Sequence, residues 1–322
     1  MQALGRGQRS DLSHPALSAF TPMDGVLDDV DVVEFVILDR TGDAPVQVFP
    51  EAGRAAAARL GVGHYVALYT APASAQLGYH AVRWFVRAAE GELHFETPFE
   101  VLAAPIDAPQ PGYCMLQDLR AEGFAPDAVS DARLARIIAL ASRTIERVTG
   151  RFFEPRRQRL ELDGRGSHEL LLDESIIAIE KIELGSSGPV SGATIYNRHI
   201  TQGLMLPDDR QNPRIRLGFP CGARNVRVTG LFGYTEPDGS PTGTTPLLIR
   251  EACKRLAVRE IPMLADAGRR EDARQRYRIL QEKTREQSYT LDKLAHPGAL
   301  TGDPDIDDIL VQFMRPADLG AA

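Results

Sequence analysis

Residues 103–112 read Ala-Ala-Pro-Ile-Asp-Ala-Pro-Gln-Pro-Gly. Each proline fixes its own φ and lacks a backbone donor, so three of them in ten residues exclude a helix or a sheet interior and leave an extended, semi-rigid spacer. The chain cannot fold through this point as one element, and the patterns on its two sides differ in kind. A length of 322 residues favours two domains.

Upstream, from Phe20 to Leu102, the pattern is β. Short apolar runs at residues 31–38, 64–69 and 79–86 are separated by turn signals such as Arg40-Thr41-Gly42-Asp43 and Leu77-Gly78. Residues 79–86 alternate small or polar with large apolar side chains, as a half-buried strand does. Strands at this spacing imply a small β-sandwich over 20–102, preceded by an N-terminal arm at 1–19. The single tryptophan, Trp84, lies on the longest apolar run and is assigned to the core of that sandwich.

Downstream, helix and strand patterns alternate over 113–296. A short helix covers Leu116 to Glu122. A longer one runs over 130–149, with Ser130 as its cap, Asp131 in the first turn and Gly150 as its stop. Its apolar positions, Leu134, Ile137, Ile138, Ala141, Ile145 and Val148, form one stripe and predict a helix-packing core. The opposite face carries Arg133, Arg136, Arg143 and Arg147, a solvated face, a subunit contact or a DNA contact. A β insert follows over 153–233, with strand patterns at 159–163, 169–172, 176–184, 214–217 and 225–230. Pro246 opens a helix over 246–264 that is expected to pack on the 130–149 stripe. Residues 269–294 are highly charged and read as an exposed helix. In the tail, 297–322, Ile306, Ile309, Leu310 and Phe313 stand at i, i+3, i+4 and i+7. That helix is too short to be stable alone, and Pro297-Gly298 and Gly302 detach it from what precedes it. The fold class is therefore α+β.

Composition excludes several functions. Hydrophobic residues at 43% and charged residues at 25% are ordinary for a globular chain. The formal net charge of −7 disfavours a generally basic nucleic-acid binder. Three cysteines without Cys-x-x-Cys spacing give neither a disulfide framework nor a zinc site. No stretch of about 18 apolar residues predicts a membrane span, and charges interrupt the first twenty residues, so no signal peptide is expected. Gly164-x-Gly166 precedes a strand rather than a helix and is read as a hairpin turn, not a phosphate loop. Asp303, Asp305 and Asp307 have the spacing of a calcium loop's start, but the positions for its Gly and Glu hold Asp308 and Met314. Neither a catalytic constellation nor a cofactor or metal site is expected.

Several pieces, in order, carry a resemblance. They are Tyr113-Cys114-Met115-Leu116-Gln117-Asp118-Leu119, Ser130 to Leu134, Ala141 through Ile145-Glu146-Arg147-Val148-Thr149-Gly150-Arg151-Phe152-Phe153, the turn Asp163-Gly164-Arg165-Gly166, Val226 through Tyr234, Pro246 to Ala252, Leu256 to Arg259, and Gly302 through Pro316. Together they resemble the head-tail connector (adaptor) proteins of tailed bacteriophages and gene transfer agents, over residues 113–316. Many such adaptors lack the first 102 residues. Those residues resemble immunoglobulin-like (Ig-like) modules of phage structural proteins, through Gly63-His64-Tyr65, Ala71-Pro72 and Gly78-Tyr79 followed by Trp84.

The resemblance implies a non-enzymatic virion protein at the neck, assembled in the host cytoplasm. It implies a ring of about twelve copies under the portal, which connects capsid to tail and leaves a channel for the packaged genome. Partners would be the portal protein, a tail-side connector or stopper, other copies of the chain, and DNA passing between acidic walls without sequence-specific contact; no membrane is implied. Ile306, Ile309, Leu310 and Phe313 would be the portal-docking tail. The competing readings are an Ig-like adhesion or carbohydrate-binding surface protein, and an enzyme whose site is assembled from distant residues.

Overall fold

The computed structural model describes residues 2–13, 15–23, 25–88, 91–103, 112–126, 129–172, 174–185, 189–190, 193–198, 201–205, 218–265, 281–283, 288–290 and 300–315. The Pro-rich spacer and the run at 214–217 lie almost wholly outside them. The fold is α+β, mostly strand. It divides into two compact units, each drawn from two stretches of chain: Gln2–Val101 with Phe152–Thr245, and Leu102–Arg151 with Pro246–Ala322.

The β-rich unit begins with strands β1 (Gln2–Gly5), β2 (Arg9–Ser10), β3 (Ser18–Phe20), β4 (Pro22–Met23), β5 (Val26–Leu27), β6 (Val32–Asp39), β7 (Val46–Phe49), β8 (Ala55–Ala56), β9 (Ala58–Gly61), β10 (His64–Val66), β11 (Tyr69–Thr70), β12 (Gly78–Ala88) and β13 (Gly91–Leu102). One sheet has the order β1-β13-β12-β6-β7, with β8 also on β6; β3-β10-β9 and β11-β2 form smaller sheets. Phe35, Trp84 and Phe99 from the first sheet meet Tyr65 and Tyr69 from the others, and Leu17 just before β3, in one core. Trp84 is fully buried, lies 5.9 Å from Phe35 between ring centroids and donates its Nε1–H to Thr97 Oγ1 at 3.0 Å. The indole thus has both the apolar surroundings and the polar partner that a buried tryptophan needs.

Residues 2–19, read as an arm, instead carry three strands of these sheets. Their apolar residues explain the difference: Leu4 and Leu17 are fully buried, and burying each contributes roughly 1.5–3 kcal/mol.

The second stretch of this unit supplies β14 (Arg156–Gly164), β15 (Glu169–Leu171), β16 (Ile176–Leu184), β17 (Pro189–Val190), β18 (Thr194–Arg198), β19 (Thr201–Met205) and β20 (Gly222–Phe232). Its main sheet has the order β14-β20-β16-β5-β4. The hairpin β4–β5 therefore belongs to the insert's sheet. Val26 pairs in parallel with Ile179, and the Ile179 N–H donates to Gly25 O at 2.7 Å. Gly230 is required where β20 meets β16 beside a register shift, because a Cβ there would stand 2.3 Å from Ala178 O.

The helical unit contains α1 (Leu116–Ala121), α2 (Asp131–Thr149), α3 (Leu247–Ala265) and α4 (Pro304–Phe313). Helix α2 packs on α3, and α4 packs on both. Leu134, Ile137, Ile138, Ala141 and Ile145 are buried, while Val148 is half-buried. Ser130 holds the N-cap position, but its side chain makes no capping bond; its carbonyl accepts from Arg133 and Leu134 N–H instead. Gly150 ends α2 at φ 66°, in the left-handed region, where a side chain is strained.

Two expectations change here. Within the charged stretch 269–294, the described residues are strands, not helix: β21 (Gln281–Lys283) pairs with β22 (Ser288–Thr290). Without an apolar stripe to bury, a helix has little to hold it, and Tyr289 and Thr290 favour a strand. The tail helix is not detached either. Ile306 and Leu310 are buried, Ile309 and Phe313 half-buried, so the stripe assigned to a partner is largely used inside the subunit.

Candidate assembly surface

The helical unit is tied together at the middle and at the C-terminal end of α2. At its middle, Ser142 Oγ accepts the Tyr113 N–H at 3.0 Å, donates to Ile138 O at 2.8 Å and lies 3.4 Å from Cys253 Sγ. These polar groups are buried and partnered, as buried polar groups must be. Tyr113 also donates its hydroxyl to Glu146 Oε1 at 2.7 Å. At the C-terminal end, Thr149 donates its hydroxyl to Ile145 O at 2.8 Å, and Thr149 O accepts the Arg315 N–H at 2.9 Å. Sequence reasoning missed Ser142 and Cys253, since only packing shows that a serine and a cysteine on different helices meet.

Two of the tail's aspartates bond within the fold. Asp303 caps α4 by accepting from the Asp305 and Ile306 N–H groups. Asp307 accepts from Leu300 N–H at 3.0 Å and Thr301 N–H at 2.8 Å. Burial opposes ionisation of Asp307, but bonds from Thr301, Leu300 and Gly302 outweigh it and hold the carboxyl below its ordinary value. Among the described residues no group of three His, Cys, Asp or Glu could hold a metal ion. No helix among them is long and apolar enough to cross a membrane.

Charge is distributed unevenly over the unit's surface. Residues 102–151 and 246–322 together carry 19 acidic and 19 basic residues, so the chain's net −7 resides in the β-rich unit. On α3, Lys254 pairs with Glu122 at 3.0 Å and with Glu251 at 3.0 Å, and Arg255 pairs with Glu251 at 3.1 Å. The outer face of α2 differs. Arg136, Arg143 and Arg147 are exposed, Arg133 is half-exposed, and none forms an ion pair among the described residues. Leu140 stands among them at 46% exposure. The outer face of α4 is acidic, with Asp305 and Asp308 exposed around Val311 at 58% exposure; Asp305 lies 3.9 Å from Arg255 of α3, and Asp308 forms no ion pair among the described residues.

In the β-rich unit, the face of the β1-β13-β12-β6-β7 sheet opposite Trp84 carries ion pairs. Glu96 accepts from Arg83 at 2.7 Å and pairs with Arg40, and the Arg54 guanidinium lies 3.6 Å from the centre of the Phe85 ring. A shallow depression there is lined by Arg40, Tyr79, His80, Ala81, Glu96 and Pro98. His64 stacks on Phe20 at 4.3 Å, and its buried Nε2 has no hydrogen-bond partner among the described residues. Burial first, and the Arg157 charge second, hold its pKa below the ordinary 6.5. None of these arrangements unites a nucleophile with a base.

In comparisons with known proteins, the chain matches no family model and no curated protein.

Proposed function

We propose that this chain is a structural protein of a tailed phage or gene transfer agent: the head-tail adaptor that forms a ring of about twelve copies between portal and tail and leaves a DNA channel. One observation carries the reading. The helical pieces of the resemblance, though not its turn at Asp163–Gly166 or its strand at Val226–Tyr234, meet in one unit: Tyr113 bonds Glu146 of the Ile145-Glu146-x-x-Thr149-Gly150 segment, and the tail's Arg315 bonds Thr149. Residues far apart in sequence thus have a shared structural reason to occur together. The N-terminal β-sheets, with Trp84 between layers, are read as an Ig-like module added to the adaptor.

In this reading the portal contact of the tail is revised. Ile306 and Leu310 stabilise the subunit, so the tail's exposed Met314, with residues 316–322 after it in sequence, is the portion left for the portal. The test is co-expression with the portal protein encoded in the same genome, followed by affinity purification and electron microscopy. The expected result is a ring of this chain stacked on the portal around an open channel. A chain that does not co-purify with the portal overturns the reading.

A further inference from the structure

We propose that the outer face of α2 docks onto the outer face of α4 on a second copy of this chain, in a head-to-tail contact. The inference deepens the self-assembly part of the reading above and rests on it. Among the described residues the arginines of the α2 face and Asp308 of the α4 face form no ion pair, Asp305 being the exception at 3.9 Å from Arg255, and the two faces are complementary in charge and in pattern. On α2, Arg136 and Arg143 flank Leu140; on α4, Asp305 and Asp308 lie beside Val311. Each face is an exposed aliphatic side chain bordered by charges of one sign, and the signs are opposite. At about 1.5 Å per residue the α2 stripe from Arg136 to Arg147 is about 16 Å long, and the α4 face from Asp305 to Val311 about 9 Å, so one accommodates the other.

The charge balance favours another copy over nucleic acid. A unit with equal numbers of acidic and basic residues has no net field to draw in a polyanion, whereas opposite faces on one body attract the next body in a fixed orientation. The two faces differ, so the contact is heterologous, and repeated use of it closes a ring when the rotation per subunit divides a full turn.

The experiment uses the full chain and three variants: Arg143→Glu, Asp308→Arg and the double exchange. Sedimentation velocity over a concentration series at low and high salt reads association, and far-ultraviolet circular dichroism confirms that each variant is folded. Both substituted residues are exposed, so folding should be retained. Each single variant is expected to associate about 100-fold more weakly, because like charges then face each other. The double variant, and an equimolar mixture of the two single variants, are expected to recover association. Added salt should weaken the wild-type contact. Single variants that assemble like the wild type overturn the inference while leaving the portal-binding reading intact. A wild-type chain that is monomeric at every concentration also overturns it, and co-purification with the portal then decides the broader reading separately. If Arg143→Glu leaves assembly unchanged but abolishes retention on duplex DNA, the stripe belongs to nucleic acid and the inference falls.

Discussion

Leu310→Ala tests how the tail helix is held. Helix α4 has ten residues, fewer than the roughly 12–15 that an isolated helix needs even for marginal stability. Its helicity therefore depends on packing against α2 and α3. Leu310 is fully buried there. Truncation removes three carbons, worth about 2.4 kcal/mol at roughly 0.8 kcal/mol each, and the hole left between helices raises the loss to about 3–4 kcal/mol. For a unit of this size that corresponds to a fall in melting temperature of about 10–15 °C. Two probes separate the units. Circular dichroism at the helical minimum follows the helical unit, and the fluorescence of Trp84, the single tryptophan, follows the β-rich one. The helical transition should drop while the Trp84 transition stays in place. Val311→Ala, at a position 58% exposed, should change the monomer's stability by less than about 0.5 kcal/mol. If Leu310→Ala melts like the wild type, α4 stands off its subunit and the free-arm expectation returns.

The other predictions concern the β-rich unit. Gly230→Ala places a methyl 2.3 Å from Ala178 O; the forced separation of β16 and β20 should cost about 3 kcal/mol, seen as an earlier urea midpoint of Trp84 fluorescence, and an unchanged midpoint would refute the close approach. The folded-state pKa of His64 lies below its ordinary 6.5, so the unfolded chain takes up the proton first, and stability falls as pH drops through and below that value. His64→Phe should flatten the Trp84 melting temperature between pH 7 and pH 6; equal slopes in the two proteins would assign the dependence to other groups.

Periodicity made the helices legible. In α2 the buried positions Leu134, Ile137, Ile138, Ala141 and Ile145 repeat every three to four residues, and Gly150 marks the stop because its left-handed φ is a local property. The strands β14, β16 and β20 were legible for the same reason, through local alternation. Non-local pairing was not. The grafting of β4–β5 onto β16 pairs two-residue strands with a partner over 150 positions away, and two residues hold no period. The tail failed differently: its stripe was visible, but a stripe does not state whether it faces a partner or its own subunit. The same ambiguity applies to Leu140, which interrupts the arginine face of α2 and is 46% exposed.

The interleaving of the two units has a consequence for synthesis. Ribosomes add about 5–20 residues per second. Strand β5 therefore waits about 8–30 s after it is made for β16, the partner of Val26 at Ile179. The apolar stripe of α2 waits a similar time for α4, whose Leu310 completes the cover. During elongation neither unit closes as a finished body, and the nascent chain displays apolar surface that later segments will hide. A ribosome stalled anywhere between residues 151 and 245 therefore carries two half-built units rather than one complete domain. Trigger-type chaperones that bind exposed apolar stretches should consequently crosslink most strongly to chains halted in that interval.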